Sequence, residues 1–286
     1  MKNTWTGKSV CRRVTKPDVP HLFSDITKAP PDVLEVIVKT LELRAADPQL
    51  QSMLESYLSQ IELPDPAQIL EIGSGTGPVA RRLASLEKAD RVVGLDPSPV
   101  FLAKARELAE GISNLVFQEG DGRSLPFDDS SFDLVVLHTL LCHVPEPELV
   151  ILEARRVLKS GGTLAVFDCD FSTASLSTGD FDPFEAIVNV LVDSIVHDRW
   201  FVRKMRGLLR DCGFEAGPLR SYGYAEHPEP SFMFSWVERG TDALMASGRL
   251  GESGANALKA EAERRVEAGQ WYAQVSYASV ISRKPD

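Results

Sequence analysis

Residues 69–77 read Ile-Leu-Glu-Ile-Gly-Ser-Gly-Thr-Gly, and this stretch decides the fold. Its first four residues are mainly apolar and partly β-branched, which predicts a short buried strand. Gly73, Gly75 and Gly77 then form a turn in which the backbone can adopt positive φ and a ligand can approach closely. Pro78 follows, and proline suits the first turn of a helix. The order of strand, glycine turn and helix is typical of sites where a helix N-terminus faces a bound ligand.

Strand and helix patterns alternate after residue 69, which predicts a parallel sheet with helices on both faces. Two amphipathic helices precede the first strand and are separated by Asp47-Pro48. The predicted strands are residues 69–72, 91–95, 115–117, 132–138, 163–167, 219–225 and 272–281. Residues 172–180 are predicted to form a loop, and residues 255–268 to form a charged helix.

Composition limits the class of protein. The chain has 286 residues, 43% of them hydrophobic and 25% charged, enough apolar material for an ordered core. With 31 basic and 41 acidic residues its net charge is −10, which disfavours nucleic acid and anionic membranes as partners. The N-terminus lacks an apolar signal segment, and no apolar run approaches the ~18 residues that span a bilayer. These features predict a cytoplasmic protein.

The number and spacing of the cysteines also favour a cytoplasmic protein. Cys11, Cys142, Cys169 and Cys212 are widely separated, with no C-x-x-C pair among them. This spacing predicts neither a disulfide framework nor a metal site, and it suits a reducing compartment.

The glycine spacing departs from the dinucleotide-binding fingerprint G-x-G-x-x-G, whose third glycine lies on the helix. Here the pattern is G-x-G-x-G, and Glu71 stands two positions before the first glycine. E-x-G-x-G-x-G resembles motif I of the class I S-adenosylmethionine-dependent methyltransferases. Asp96 ends the second predicted strand, 19 residues after Gly77, and its position resembles the ribose-binding acid of that family.

Further motifs follow in the family's order. Asp121-Gly122, after the third strand, resembles the acid that meets the adenine amino group. Leu-Pro-Phe-Asp at 125–128 and Phe-Asp-Leu-Val at 132–135 resemble the ubiquinone-biosynthesis-like, type 11 branch. His143-Val144 and Val-Leu-Lys-Ser-Gly-Gly at 157–162 resemble the same branch. The matches cover about residues 69–170, and the rest of the chain agrees only in general layout.

The resemblance implies a Rossmann-like, doubly wound α/β sheet, mostly parallel with an antiparallel last strand and with helical cap elements. It implies S-adenosylmethionine as the cofactor, with S-adenosylhomocysteine as the product. The reaction would be an in-line displacement of the sulfonium methyl group, for which the protein aligns the reactants and excludes water. The implied cofactor-binding residues are Glu71, Gly73, Gly75, Gly77, Asp96, Pro97, Asp121, Gly122 and His138.

His143 is the candidate general base. It follows the fourth strand, where the family places the methyl group, and Asp168 or Asp170 at the end of the fifth strand would orient or polarise it. An equally open alternative is a histidine that shapes the loop and touches the cofactor. A hydroxyl acceptor needs a base, whereas an amine or thiolate acceptor can react without one.

Three segments are expected: an arm and helical cap at 1–65, the cofactor-binding core at 66–172, and a C-terminal part at 173–286. The last segment contains an insertion of about residues 226–270 between the final two strands. Phe232 and Trp236 in this insertion are the predicted substrate contacts, and ordinary core packing is the alternative for both.

The predicted substrate is therefore a small organic molecule, a secondary metabolite or cofactor precursor, bound by a monomer or homodimer. One alternative is a methyltransferase that acts on RNA or protein. Another is a relative of the same fold that serves as a cyclase or regulator without transferring a methyl group, because fold does not fix function. The acceptor atom stays open between oxygen, nitrogen, carbon and sulfur.

Overall fold

The computed structural model describes residues 26–286, so most of the predicted N-terminal arm lies outside the described residues. The strands of the described part form one sheet. They are β1 Ala67–Ile72, β2 Ala89–Asp96, β3 Leu115–Glu119, β4 Phe132–His138, β5 Leu158–Ser175, β6 Glu215–Ala216, β7 Arg220–Glu226 and β8 Ala273–Arg283.

The sheet order is β3-β2-β1-β4-β5-β8-β6, and β7 pairs with β8 beyond the end of β6. Strands β1 to β5 are parallel to one another, and β8 runs antiparallel to β5, β6 and β7. The expected mostly parallel sheet with an antiparallel last strand is confirmed. Because β8 pairs with β5, the C-terminal segment completes the sheet that the glycine-turn segment begins.

Helices cover both faces of the sheet. In the described residues they are α1 Pro31–Ala46, α2 Pro48–Leu58, α3 Pro78–Ala84, α4 Pro99–Leu108, α5 Pro147–Val157, α6 Phe184–Ile195, α7 Phe201–Asp211, α8 Ser235–Ala246 and α9 Glu252–Glu267. The first five begin at proline, whose fixed φ and missing N–H suit the first helical position. Within the described region, none of these helices has the length and apolar character needed to cross a membrane.

The core lies where the sequence is most continuously apolar. Strands β1 and β4 are adjacent and parallel, and their apolar side chains are almost fully buried. Burial on both faces explains why these strands show apolar runs rather than alternation. Their C-terminal ends, together with that of β2, meet at one edge of the sheet, where polar residues replace apolar ones.

Two helices cap this edge. The Asp47 side chain accepts hydrogen bonds from the backbone N–H groups of Gln49 and Leu50, which ends α1 and begins α2 as a helix cap. Tyr57 of α2 is fully buried in the main core. Leu34 and Ile37 of α1 form a smaller cluster that includes Phe101 of α4. The two helices expected before the first strand are therefore present, and they pack against the carboxyl edge of the sheet.

The structure differs from the sequence prediction in the C-terminal part. Strand β5 continues to Ser175, through residues predicted as a loop, because β8 pairs with it as far as Gln274. Helix α8 was not predicted. Its Gly240 lowers local helix propensity, yet α6 requires it, since a Cβ there would lie 2.8 Å from the Ile187 carbonyl oxygen. Tertiary packing decides the structure of both segments.

Candidate functional site

The glycine turn requires glycine both for its conformation and for its close packing. Gly73, Gly75 and Gly77 have φ of 76°, 54° and 79°, a region that residues with a Cβ rarely adopt. A Cβ on Gly73 would lie 2.7 Å from the Leu140 side chain, and one on Gly77 would lie 2.5 Å from Phe117. The turn therefore exposes backbone rather than side chains to the space above it.

Asp96, at the end of β2, faces the same space. Its two carboxylate oxygens accept hydrogen bonds from the backbone N–H groups of Gly75 (2.8 Å) and Ser98 (2.9 Å). Burial raises the pKa of the Asp96 carboxyl to about 6, and the two backbone donors offset only part of that effect. Above this pH the carboxylate can accept hydrogen bonds from ligand hydroxyl groups.

Three further polar atoms around the turn are buried with no hydrogen-bond partner among the described residues: Glu71 Oε2, Ser74 Oγ and Thr76 Oγ1. Burial also raises the pKa of the Glu71 carboxyl well above its usual range. A buried polar atom without a partner costs about 1–3 kcal/mol, so such a cluster marks a place where a polar ligand belongs.

A cavity of about 520 Å³ opens above the turn. It is lined by the turn itself, by Asp96 and Pro97 after β2, by the cap helices and by the residues that follow β4. The cap contributes Leu41, Arg44, Ala45, Leu50, Gln51, Leu54 and Glu55. The end of β4 and the single 3₁₀ turn after it contribute His138, Thr139, Leu140, His143 and Val144. The glycine turn and the helical cap therefore enclose one common space.

His138, the last residue of β4, lines the cavity as a neutral imidazole. Its Nδ1 lies 3.0 Å from the hydroxyl oxygen of Tyr57, and its ring stacks on Phe167 with 4.7 Å between ring centroids. Burial, and secondarily the nearby charge of Arg44, lowers the pKa of His138 to about 3. This histidine can contact a cationic ligand without charge repulsion, and it is unsuited to accepting a proton near neutral pH.

His143 is held differently. Its Nδ1 lies 2.7 Å from the backbone carbonyl oxygen of Ile195, the last residue of α6. A carbonyl oxygen only accepts hydrogen bonds, so Nδ1 carries the proton and Nε2 holds the lone pair of the neutral ring. Phe171 contacts the same ring edge-on, 5.8 Å away between centroids. These contacts fix the ring orientation and the tautomer that a general base requires.

Asp168 and Asp170 do not line the cavity within the described chain. Asp168 is fully buried, and its carboxylate accepts hydrogen bonds from the backbone N–H groups of Cys142 (3.1 Å) and Cys169 (2.8 Å). Asp170 accepts from Ser172 and lies 3.5 Å from Arg203 Nε. Asp168 therefore holds the backbone of Cys142, the residue before His143, whereas the Ile195 carbonyl is hydrogen-bonded to the imidazole itself.

The structure does not bring every predicted residue to the lining of this cavity. Gly77 lies just behind the turn as the residue before α3. Asp121 is exposed and hydrogen-bonded to Arg123, which lowers the pKa of its carboxyl. A Cβ on Gly122 would lie 2.6 Å from Ile72, so this glycine serves packing.

The two predicted substrate contacts lie in the hydrophobic core. Phe232 packs on Tyr224 with 5.0 Å between centroids, and Trp236 stacks on Phe171 at 6.1 Å. Both side chains are almost completely buried. Trp236 supports the phenylalanine that contacts His143, so the insertion reaches the site indirectly.

Comparison with known proteins identifies the family. Residues 70–166 match the family profile described as a methyltransferase domain. A demethylmenaquinone methyltransferase from Tropheryma whipplei is 31% identical over 166 residues, which cover 52% of this chain and 66% of that protein. The chain belongs to the class I S-adenosylmethionine-dependent methyltransferases.

Solved structures of other methyltransferases share the fold. A proposed methyltransferase from Bacillus halodurans superposes with a TM-score of 0.60 at 24% identity, covering 82% of this chain and all of that one. A Haemonchus contortus phosphoethanolamine N-methyltransferase, bound to S-adenosylhomocysteine, gives a TM-score of 0.55 at 16% identity over 92% of this chain and 60% of that one. The chain spans about half the length of the first curated relatives that it matches.

The residues that line the cavity fit the family's cofactor. Asp96 can accept hydrogen bonds from the two ribose hydroxyls, and the unpartnered Glu71, Ser74 and Thr76 atoms lie beside it around the turn. Glycine leaves the turn free of side chains that would occupy ligand space. Bound S-adenosylmethionine supplies a methyl group already activated by its positive sulfur.

Sequence reasoning missed several polar residues of the cavity. Arg44, Gln51 and Glu55 on the cap helices and Arg82 on α3 all line it. Arg82 donates to both carboxylate oxygens of Glu55, at 2.5 and 2.6 Å, and so joins α3 to α2. The helical spacing of α1 could have indicated Arg44, because it follows Leu41 by three residues and therefore lies on the same helix face.

Proposed function

We propose that this protein transfers the methyl group of S-adenosylmethionine to a small organic acceptor held beneath α1 and α2. One observation carries the proposal: the glycine turn with Asp96 and the cap helices line the same cavity of about 520 Å³. In such a cavity the cofactor's methyl group and an acceptor can meet away from bulk water. Alignment of nucleophile, carbon and sulfur then provides most of the catalysis.

The lining favours a mostly apolar acceptor. Leu41, Leu50, Leu54, Val144 and Phe167 supply apolar surface around a small number of polar groups. This is the usual composition of a small-molecule site, and the cavity volume lies within the typical range of roughly 300–1,000 Å³. The name of the Tropheryma relative, which specifies demethylmenaquinone, supports an acceptor of this kind.

His143 gives the site a base for acceptors that must lose a proton. With Nδ1 donating to Ile195, the lone pair on Nε2 can take a proton from an acceptor hydroxyl as the oxygen attacks the methyl carbon. An amine that is already neutral would react by alignment alone. We assign Asp168, which holds the backbone of Cys142, to positioning of the segment before His143, and Asp170, which contacts Ser172 and Arg203, to support of β5 rather than to contact with substrate.

The competing functions differ in what they bind or make. A methyltransferase for RNA or protein would need to attract a macromolecule, and the net charge of −10 opposes attraction of a polyanion. A cyclase or regulator would keep the fold without transferring a methyl group.

A transfer assay separates these possibilities. The protein is incubated with S-adenosylmethionine labelled in its methyl group and with one of three acceptor pools: small quinones and phenols, bulk RNA, or mixed protein. We expect label only in the small-molecule pool, and only together with formation of S-adenosylhomocysteine. Label in RNA or protein would replace the proposal, and cofactor binding without transfer to any pool would favour a non-methylating role.

A further inference from the structure

Three arginines connect the cap helices to the rest of the fold, and two of them are paired with acids. Arg81 of α3 lies 3.0 Å from the Glu42 carboxylate on α1. Arg82 forms a two-point ion pair with Glu55 on α2. Arg44, in the last turn of α1, instead donates to a neutral group, the Thr139 hydroxyl, at 2.7 Å. Within residues 26–286 no carboxylate lies within ion-pair distance of Arg44.

Arg44, which differs from the other two arginines in this way, lies inside the cavity. Arg44 and its partner Thr139 both line it, beside Leu41, Ala45 and Leu140. A partly buried guanidinium in mainly apolar surroundings loses hydration, and the loss is recovered best by a hydrogen-bonded anion. The hydrogen bond to a hydroxyl group uses one of the five N–H donors of the guanidinium and neutralises no charge.

The acids of the cavity are already occupied or poorly placed to neutralise Arg44. Glu55 is held by Arg82, and Asp96 accepts from two backbone N–H groups. Burial raises the pKa of Glu71 well above its usual range, which favours its neutral form. The positive charge of Arg44 also acts on its surroundings, since it contributes to the lowered pKa of His138. Among the described residues, the cavity therefore contains a guanidinium that none of the lining carboxylates pairs with directly.

We propose that Arg44 binds a carboxylate of the ligand in this cavity. The planar guanidinium can donate two parallel hydrogen bonds to a carboxylate, which gives both affinity and orientation. The proposal rests on the proposed use of the cavity for S-adenosylmethionine and a small acceptor. Two ligands could supply the carboxylate: the cofactor, through its amino-acid part, or an acidic acceptor.

The experiment compares each acid with its own amide. In one arm, calorimetry measures S-adenosylhomocysteine and its carboxamide; in the other, NMR measures phenylacetate and phenylacetamide, with and without S-adenosylhomocysteine. The proteins are wild type, Arg44→Met, Arg44→Lys and Arg81→Met. The last variant is the matched control, because it also removes an arginine bridge to α1 but from outside the cavity lining. Thermal unfolding verifies that each variant is folded.

In one arm we expect the wild-type protein to bind the acid about 10- to 100-fold more tightly than its amide, which is the range for a charge-assisted pair. Arg44→Met should lose that preference, Arg44→Lys should keep part of it, and Arg81→Met should change acid and amide by the same factor. A preference in the first arm assigns the cofactor carboxylate, and one in the second arm assigns the acceptor.

Two results would overturn the proposal: no acid preference in wild type in either arm, or a preference that survives in Arg44→Met. In the second case the arginine only ties α1 to Thr139. If wild type fails to bind S-adenosylhomocysteine, the cofactor assignment is wrong. The phenylacetate arm on the protein alone still decides the role of Arg44, so the two failures are distinguishable.

Discussion

At the scale of single residues, Asp96 links cofactor affinity to pH. Its folded pKa of about 6 lies above the usual value near 4, so protonation occurs at mildly acidic pH. Ribose hydroxyls donate to the charged form, so binding favours ionisation and a proton competes with the ligand. Affinity for S-adenosylhomocysteine should be constant above about pH 7 and weaken about tenfold at pH 5.

Calorimetry between pH 5 and pH 8 measures this dependence. Asp96→Asn is the control, and it should bind about 1.5–3 kcal/mol more weakly at neutral pH with the step near pH 6 removed. An affinity of the wild type that does not change across this range would show that the Asp96 carboxylate is not in contact with the ligand.

His143→Ala distinguishes a general base from a residue that only shapes the loop. If His143 accepts the proton of a hydroxyl acceptor, turnover should fall by about 10²–10⁴-fold while affinity for S-adenosylmethionine changes little. Raising the pH should restore part of the rate, because the acceptor then ionises without help. Turnover and cofactor affinity are measured separately, and a parallel fall in both with no rescue by pH would contradict the role of base.

Sequence alone predicted cavity-lining residues best where their positions depend on the local chain. The turn glycines and Asp96 adjoin one another through β1 and β2, and the structure places Gly73, Gly75 and Asp96 at the cavity. Sequence-based prediction was less informative for Asp121, because its carboxylate is hydrogen-bonded to Arg123 outside the cavity lining. The group that orients His143 is a backbone carbonyl, which any residue can supply, so no sequence pattern pointed to Ile195.

At the scale of elements, α6 connects the insertion to the site. Its last carbonyl group holds His143, and α8 packs against its middle, where Gly240 meets Ile187. The predicted insertion therefore contributes by supporting α6 through α8, while Phe232 and Trp236 pack on Tyr224 of β7 and Phe171 of β5. The sequence did not predict this arrangement, because it depends on contacts between segments that are distant along the chain.

Alanine substitutions at two glycines in helix interiors test this packing, because they should change the free energy of unfolding in opposite directions. Gly240→Ala should destabilise the protein by about 1–3 kcal/mol, because the new methyl group overlaps the Ile187 backbone. Gly207→Ala, on the exposed face of α7 with no atom near the added Cβ, should stabilise it by about 0.5–1 kcal/mol. Urea unfolding measures both free energies. Equal effects of the two substitutions would show that α6 and α8 do not pack this closely.

The cap shows a similar limit of sequence prediction. The periodicity of α1 and α2 and the break at Asp47-Pro48 predicted both helices. Where they pack follows from distant contacts: the Tyr224 hydroxyl donates to Asp47 at 2.8 Å across 177 positions of the chain. That contact ties the cap to β7 and helps to close the cavity, and helical periodicity contains no information about it.

At the scale of the whole molecule, the sheet was predictable because each parallel strand and its helix carry their own local pattern. The antiparallel β8 was predicted from the family resemblance, and the short β6 was missed because two residues show no periodicity. The cavity is a property of the assembled molecule. It forms only when the carboxyl edge of the sheet, predicted from strand ends, meets the cap that packs over it.

Binding of S-adenosylhomocysteine tests the central claim most directly, since every proposed role assumes that the cofactor lies on the glycine turn beneath the cap. Calorimetry above about pH 7, where Asp96 is ionised, compares wild type with Gly75→Val. Valine cannot readily adopt the φ of 54° at this position, and its side chain would extend into ligand space near Leu41. We predict one site per wild-type chain and no binding by the folded variant. Absence of binding to wild type, or unchanged affinity in Gly75→Val, would contradict the account.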